Sequence, residues 1–86
     1  MNILSQNGDT LVNYDNAASL YIQKVCLQYD TYWEIRVMYP AVSTDILCDT
    51  IAKFYTEEKC IKVFNELINC ICNGITFVRI KDLGST

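Results

Sequence analysis

The stretch FYTEEKCIKVFNELINCICNG, residues 54–74, decides the fold because it predicts a single amphipathic helix. Thr56 is the expected N-cap, since its hydroxyl can accept a backbone amide that the first turn leaves unpaired. Glu57 and Glu58 suit the positive end of the helix dipole, and Gly74 predicts a left-handed stop. Apolar residues at three- and four-residue steps indicate a buried stripe that consists of Cys60, Val63, Phe64, Leu67, Ile68 and Ile71.

The best strand of the chain lies before this helix, at residues 32–39. Trp33, Ile35 and Val37 occupy every second position, with Glu34 and Arg36 between them, so they share one face of a strand. Pro40 ends the strand because it lacks an amide donor.

Shorter alternating segments predict further strands at residues 3–6, 10–14, 19–27 and 75–81. The Asn-Gly pair at 7–8 favours a tight hairpin between the first two. Residues 45–55 fit strand and helix spacing almost equally, and we favour a strand because a helix there would run directly into the next one. Residues 82–86 predict a frayed tail.

These elements predict one α+β domain over residues 1–86: a small twisted antiparallel sheet of four to six strands, with one C-terminal helix packed across one face. The helix stripe should cover the face of Trp33, Ile35 and Val37. The opposite sheet face would stay partly bare, and a chain with so thin a core has reason to pair with itself, so we expect a homo-oligomer.

Composition narrows the function. The chain has 86 residues, no histidine and a net charge of −3. The usual general base and the commonest metal ligand are therefore missing, and scattered cations argue against nucleic-acid binding. No run approaches the roughly 18 apolar residues of a membrane span, and the N-terminus lacks a signal-peptide pattern. We expect a cytoplasmic protein that is not an enzyme and that needs no membrane and no cofactor.

Five cysteines raise the question of a metal site. Cys70 and Cys72 resemble a metal-binding pair, but residues two apart on a helix point about 200° away from each other. A structural zinc would also need further ligands without any histidine. The expectation is that all thiols are free, that no metal binds, and that Cys60 and Cys72 are small core residues.

Aromatic residues crowd the predicted strands and turns. Each tyrosine can be explained as a half-buried sheet residue, but Tyr and Trp are also favoured at contact surfaces. We expect binding on the sheet and its turns, with Arg36 foremost because a guanidinium can fork onto a phosphate or stack on a base. The alternative for Arg36 is an ion pair with Glu34 or another acid on a solvated face. The candidate binding residues are Arg36, Tyr32, Tyr21, Tyr14, Arg79 and Lys53.

Two motifs carry a resemblance: SQNGDTLVNYDN at residues 5–16 and YTEEKCIKVFNEL at residues 55–67. Together they resemble a family of small proteins from phages and prophages of Gram-positive bacteria. Those proteins start with a strand, "SQD" and "LVN" before "DN", and later have a Thr- or Ser-capped helix that begins with "EER" or "EEK". This chain departs from the pattern at Cys60, where Ala is usual, and in its longer middle and its "VRIKDLG" ending.

The resemblance implies a phage context, in which small acidic proteins often antagonise host defence. The expected function is a non-enzymatic accessory protein that sequesters a signalling nucleotide or blocks a defence protein. The alternative is a structural or regulatory protein-association module with no small-molecule ligand. A nucleotide binder should offer aromatic rings for base stacking and Arg36, Lys53 or Arg79 for phosphates, whereas a protein inhibitor should offer a flat exposed patch.

Overall fold

The structure is a computed structural model that describes residues 1–40 and 47–84. These residues form six strands and one α-helix, which confirms the predicted α+β class with the helix near the C-terminus. The elements are β1 (Asn2–Leu4), β2 (Leu11–Asn13), β3 (Ser19–Cys26), β4 (Thr31–Met38), β5 (Cys48–Phe54), α1 (Glu57–Cys72) and β6 (Phe77–Arg79). Short 3₁₀ helices follow β2 at Tyr14–Asn16 and β6 at Ile80–Asp82.

The strands are divided between two three-stranded sheets. Sheet A has the order β2-β1-β6, in which β1 is antiparallel to β2 and parallel to β6. Sheet B is an antiparallel meander with the order β3-β4-β5. The sequence predicted the strands within a single antiparallel sheet, because alternation identifies strands but says nothing about which strands become neighbours.

Both sheets and the helix contribute to one hydrophobic core. Ile3, Val12 and Val78 are register neighbours in sheet A, and all three are buried in the same cluster as Ile35 of β4 and Leu67 of α1. Helix α1 packs across the inner face of sheet B, as the stripe of apolar residues predicted. Among the described residues, no helix has the length and apolar character required to cross a membrane.

The helix ends where its sequence signals place them. The Thr56 hydroxyl accepts a hydrogen bond from the Lys59 backbone amide at 3.4 Å, and Gly74 has a φ of 71°. Cys60 is buried as predicted, but the prediction that Cys72 is a core residue is wrong, because Cys72 is exposed. Cys70, on the opposite side of the helix from Cys72, packs against the core instead.

The ambiguous segment 45–55 contains strand β5, Cys48–Phe54, as we favoured, while residues 45 and 46 lie outside the described residues. Ile35 pairs with Ala52 and Arg36 with Thr50, so Ile51 is an extra residue in a β-bulge. Two successive residues, Ile51 and Ala52, are therefore buried. The bulge interrupts the strand alternation, which explains why helical spacing fitted almost as well.

The tail after β6 is docked as far as Gly84, so the prediction of a frayed tail is wrong for residues 82–84. Ile80 and Gly84 are buried. The Lys59 ammonium donates a hydrogen bond to the Gly84 carbonyl, and the Gly84 amide donates one to the Glu66 carboxylate. The side chains of two helix residues thus bind the backbone amide and the backbone carbonyl of Gly84.

Candidate functional site

One face of sheet B points away from α1, and we call it the outer face. Residues directly opposite in an antiparallel pair share a face, so the register assigns its members. None of them is buried. The outer face consists of Ser19, Tyr21, Gln23 and Val25 of β3, Tyr32, Glu34, Arg36 and Met38 of β4, and Cys48, Thr50 and Lys53 of β5.

Arg36 lies at the centre of this face and forms an ion pair with Glu34. Its Nε and Nη2 atoms both donate to Glu34 Oε1, at 2.9 and 2.5 Å. The hydrogen bonds to Glu34, with a smaller contribution from neighbouring Tyr21, raise the pKa of Arg36 above its ordinary value. The ion pair with Glu34, which the sequence offered as the alternative to a binding role for Arg36, is therefore present. It orients the guanidinium and leaves Nη1 outside the pair.

Lys53 lies between two tyrosine rings next to this pair. Its Nζ is 4.1 Å from the centre of the Tyr32 ring and 5.1 Å from that of Tyr55. The two rings meet edge to face, with their centres 6.3 Å apart. The pKa of Lys53 is raised above its ordinary value, mainly by hydrogen bonding with the side chain of Tyr55. Tyr55 was not among the six candidate residues, although its place directly after β5 brings it here.

Four of the six candidate residues, Tyr21, Tyr32, Arg36 and Lys53, thus lie together on the outer face. Tyr14 does not join them, because it belongs to the 3₁₀ helix after β2 and packs against the core. Arg79 is also elsewhere, since β6 joins sheet A, and its guanidinium carbon lies 6.0 Å from the Phe77 ring centre.

A cleft of about 280 Å³ lies where the β1–β2 turn meets β5. Gln6 connects these two elements: its backbone amide donates to the Ile51 carbonyl at 2.8 Å, and its side-chain Oε1 accepts from the Lys53 amide at 2.9 Å. Glu34 and Lys53 line the cleft and also belong to the outer face, so the cleft adjoins that face. The other lining residues are Ser5, Gln6, Asn7, Asp9, Thr10, Thr50, Ile51 and Ala52.

The cleft was not predicted from the sequence, in which Ser5 and Gln6 belong to the predicted strand at residues 3–6 and to the family motif. In the structure, the buried Ser5 hydroxyl donates to Asp9 Oδ1 at 2.9 Å and accepts from the Thr10 amide at 3.1 Å. Hydrogen bonds of the Ser5 hydroxyl to Asp9 and Thr10 therefore stabilise the β1–β2 turn. A polar pair ahead of an Asn-Gly turn is the signal that could have indicated such a contact.

The outer face carries Lys53 and Arg36 against one carboxylate, Glu34, in a chain whose net charge is −3. It combines local positive charge with the half-buried rings of Tyr21 and Tyr32, and the exposed ring of Tyr55 lies beside it. Within residues 1–40 and 47–84, no cluster of acidic and cysteine side chains could hold a metal ion. The chemistry that this surface offers is stacking, hydrogen bonding and charge pairing.

Comparison of the chain with models of protein families, with curated proteins and with solved structures found no match. Function must therefore be inferred from the residues of the outer face and the adjoining cleft.

Proposed function

We propose that this chain is a non-enzymatic binding protein, and that the outer face of sheet B takes up a small anionic aromatic ligand of the nucleotide class. The observation that carries the proposal is the position of Lys53 between Tyr32 and Tyr55, in the strand next to Arg36. Aromatic rings beside cations are the combination with which proteins bind single nucleotides and single strands.

Each part of such a ligand has a counterpart on this surface. A planar base can stack on the exposed Tyr55 ring or on Tyr32, because every base presents a π-face. A phosphate can accept hydrogen bonds from Arg36 Nη1 and from Lys53, whose charges are not cancelled by the single Glu34 carboxylate. Sugar hydroxyls can pair with the polar groups of the adjoining cleft, among them Glu34.

The biological setting follows from the resemblance to phage and prophage proteins. In that setting, we propose that the chain acts in the host cytoplasm and antagonises defence by withholding a signalling nucleotide. Blocking a defence protein directly is the other route to the same result. A role as a protein-association module without a small ligand is the second candidate. It is favoured by the edge of β3, which pairs with no other strand of the described residues.

The test is calorimetric titration of the protein with mononucleotides, cyclic mononucleotides and cyclic dinucleotides. Arg36→Ala should weaken binding by about 10- to 150-fold, the usual cost of losing charged hydrogen bonds. Lys62→Ala removes an exposed cation from α1 and is the matched control that should bind normally.

A second pair of variants tests whether binding needs the ring of Tyr32 or its hydroxyl group. Tyr32→Ala should weaken binding, whereas Tyr32→Phe should retain it, because phenylalanine keeps the ring. Failure of the wild-type protein to bind any of these nucleotides would contradict the proposal. So would normal binding by a folded Arg36→Ala protein.

A further inference from the structure

Within the described residues, the two sheets have four edges, and three of these edges are short or closed. β2 and β6, the edges of sheet A, have three residues each. β5 is bulged, and Gln6 hydrogen-bonds to its backbone on both sides of Ala52. Short edges, bulges and covering groups are the devices that prevent strands from pairing with other chains.

Within the described residues, the fourth edge, β3, is not short, bulged or covered, and its one protective feature is the charge of Lys24 on the inner face, opposite Trp33. It has eight residues, Ser19–Cys26, which pair with β4 in continuous register. It contains no proline, and its only charged residue is Lys24, whose ammonium lies 5.7 Å from the centre of the Trp33 ring. In the part of the chain that the structure describes, no strand pairs with its other side.

The core beneath this edge is also incompletely covered. On the inner face of sheet B, Ile35 and Val37 of β4 and Ala52 of β5 are buried. Leu20 and Ile22 of β3 are only half-buried, although they pack against the same core. An added strand would cover the exposed part of these two side chains.

From these observations we infer that β3 pairs antiparallel with β3 of a second copy of this chain and forms a two-fold symmetric dimer. Two copies of β3 present backbone edges of the same length. In a two-fold interface the same surface of each copy meets that of the other, so one β3 edge can pair with another. The inference concerns an edge that nucleotide binding does not use, so it can hold or fail independently of the proposed ligand.

The hydrogen-bond phase of the hairpin shows which groups face the second copy. The Leu27 amide donates to the Asp30 carbonyl at 2.7 Å, in line with the β3–β4 register. Bonded pairs alternate along an antiparallel ladder, so Val25, Gln23 and Tyr21 bond to β4. The amides and carbonyls of Leu20, Ile22 and Lys24 therefore point to the open edge.

Charge disfavours the registers in which the two-fold axis lies closer to Lys24. If Ile22 faces Ile22 of the second copy, Lys24 faces Leu20, and the two Lys24 positions are separated along the strand by about 13 Å. A shift that placed Gln23 at the two-fold axis would bring them within about 7 Å, and a further shift would oppose them directly. The first register also brings Leu20 and Ile22 of both copies together, and sets Tyr21 beside Gln23 of the second copy.

The test is the solution mass of the wild-type chain and of two Lys24 variants by light scattering after gel filtration. Lys24→Pro removes an amide that points to the open edge and leaves the β3–β4 bonds intact. Lys24→Ser is the matched control, which loses the same ammonium but keeps the amide. Wild type and Lys24→Ser should have twice the chain mass of 9.9 kDa, and Lys24→Pro should have that mass once.

A wild-type monomer at high concentration would overturn the inference, as would a Lys24→Pro dimer. Amide hydrogen exchange of the wild type decides the matter if Lys24→Pro does not fold. The Ile22 amide should be protected in concentrated protein and lose protection on dilution, whereas the Gln23 amide should be protected in both. An Ile22 amide that exchanges rapidly at every concentration would rule out this interface.

Discussion

The side-chain carbonyl of Gln6 accepts a hydrogen bond of 2.9 Å from the backbone amide of Lys53. The backbone amide of Gln6 also donates to the Ile51 carbonyl at 2.8 Å. A single glutamine therefore satisfies the edge of β5 on both sides of Ala52 and ties the β1–β2 turn to the strand that carries Lys53.

We expect Gln6→Ala to lower the free energy of unfolding by about 0.5–1.5 kcal/mol, the usual net contribution of a hydrogen bond. Gln6→Glu keeps an oxygen acceptor and should cost less. Urea unfolding of both variants measures the difference. Equal losses for the two substitutions would mean that the Lys53 contact contributes no stability.

Gly84 provides a test of the docked tail. Its φ is 69°, and an added Cβ would lie 2.7 Å from the Val63 side chain. Gly74 has a similar φ of 71° but open space around it. Gly74→Ala should cost about 1–2 kcal/mol of backbone strain, and Gly84→Ala should cost about 1 kcal/mol more because of the overlap with Val63. Equal thermal unfolding of the two variants would show that the tail is not held against the helix.

Leu67 lies in the buried stripe of α1. Leu67→Ala should remove about 2–5 kcal/mol of stability and leave much of so small a protein unfolded. Ile61→Ala, on a side chain that is 42% exposed, is the matched control and should change stability by only about 0.5 kcal/mol. Circular dichroism during thermal unfolding distinguishes them, and a Leu67→Ala protein as stable as the control would contradict this core.

The hydroxyl of Tyr39 donates to Asp49 Oδ2 at 2.9 Å, and burial, with a smaller effect of Asp49, raises its pKa to about 12 from an ordinary 10.0. The folded state therefore holds this proton more tightly than the unfolded state does. The resulting stability is fully present below pH 10 and is lost as the pH rises towards 12.

Tyr39→Phe should abolish that part of the alkaline loss in urea unfolding curves measured over this pH range. Tyr29→Phe, at a ring that is 91% exposed, should keep the full wild-type pH dependence. Parallel pH dependences for wild type and Tyr39→Phe would argue against a raised pKa of Tyr39 as the cause.

Local patterns were enough to predict the helix, its caps and the faces of β4. Tyr32 and Arg36 fall on one side of that strand by alternation alone, and the helix stripe identifies the other side as the core. Pairing between distant strands carries no local signal, so the partnership of β6 with β1, which takes Arg79 away from the outer face, could not be predicted. The same is true of Gln6, whose hydrogen-bond partner Lys53 lies 47 residues away in the sequence.

The parallel pairing of β1 with β6 has a consequence for the order of folding. Ile3 meets Val78 only after the intervening chain, including all of α1, has been synthesised. Closing so long a loop is slow, since its entropy is lost before the contact is gained. A nascent chain whose synthesis halts after α1 would present β1 with one side unpaired, at the stage when a growing polypeptide is most exposed to aggregation.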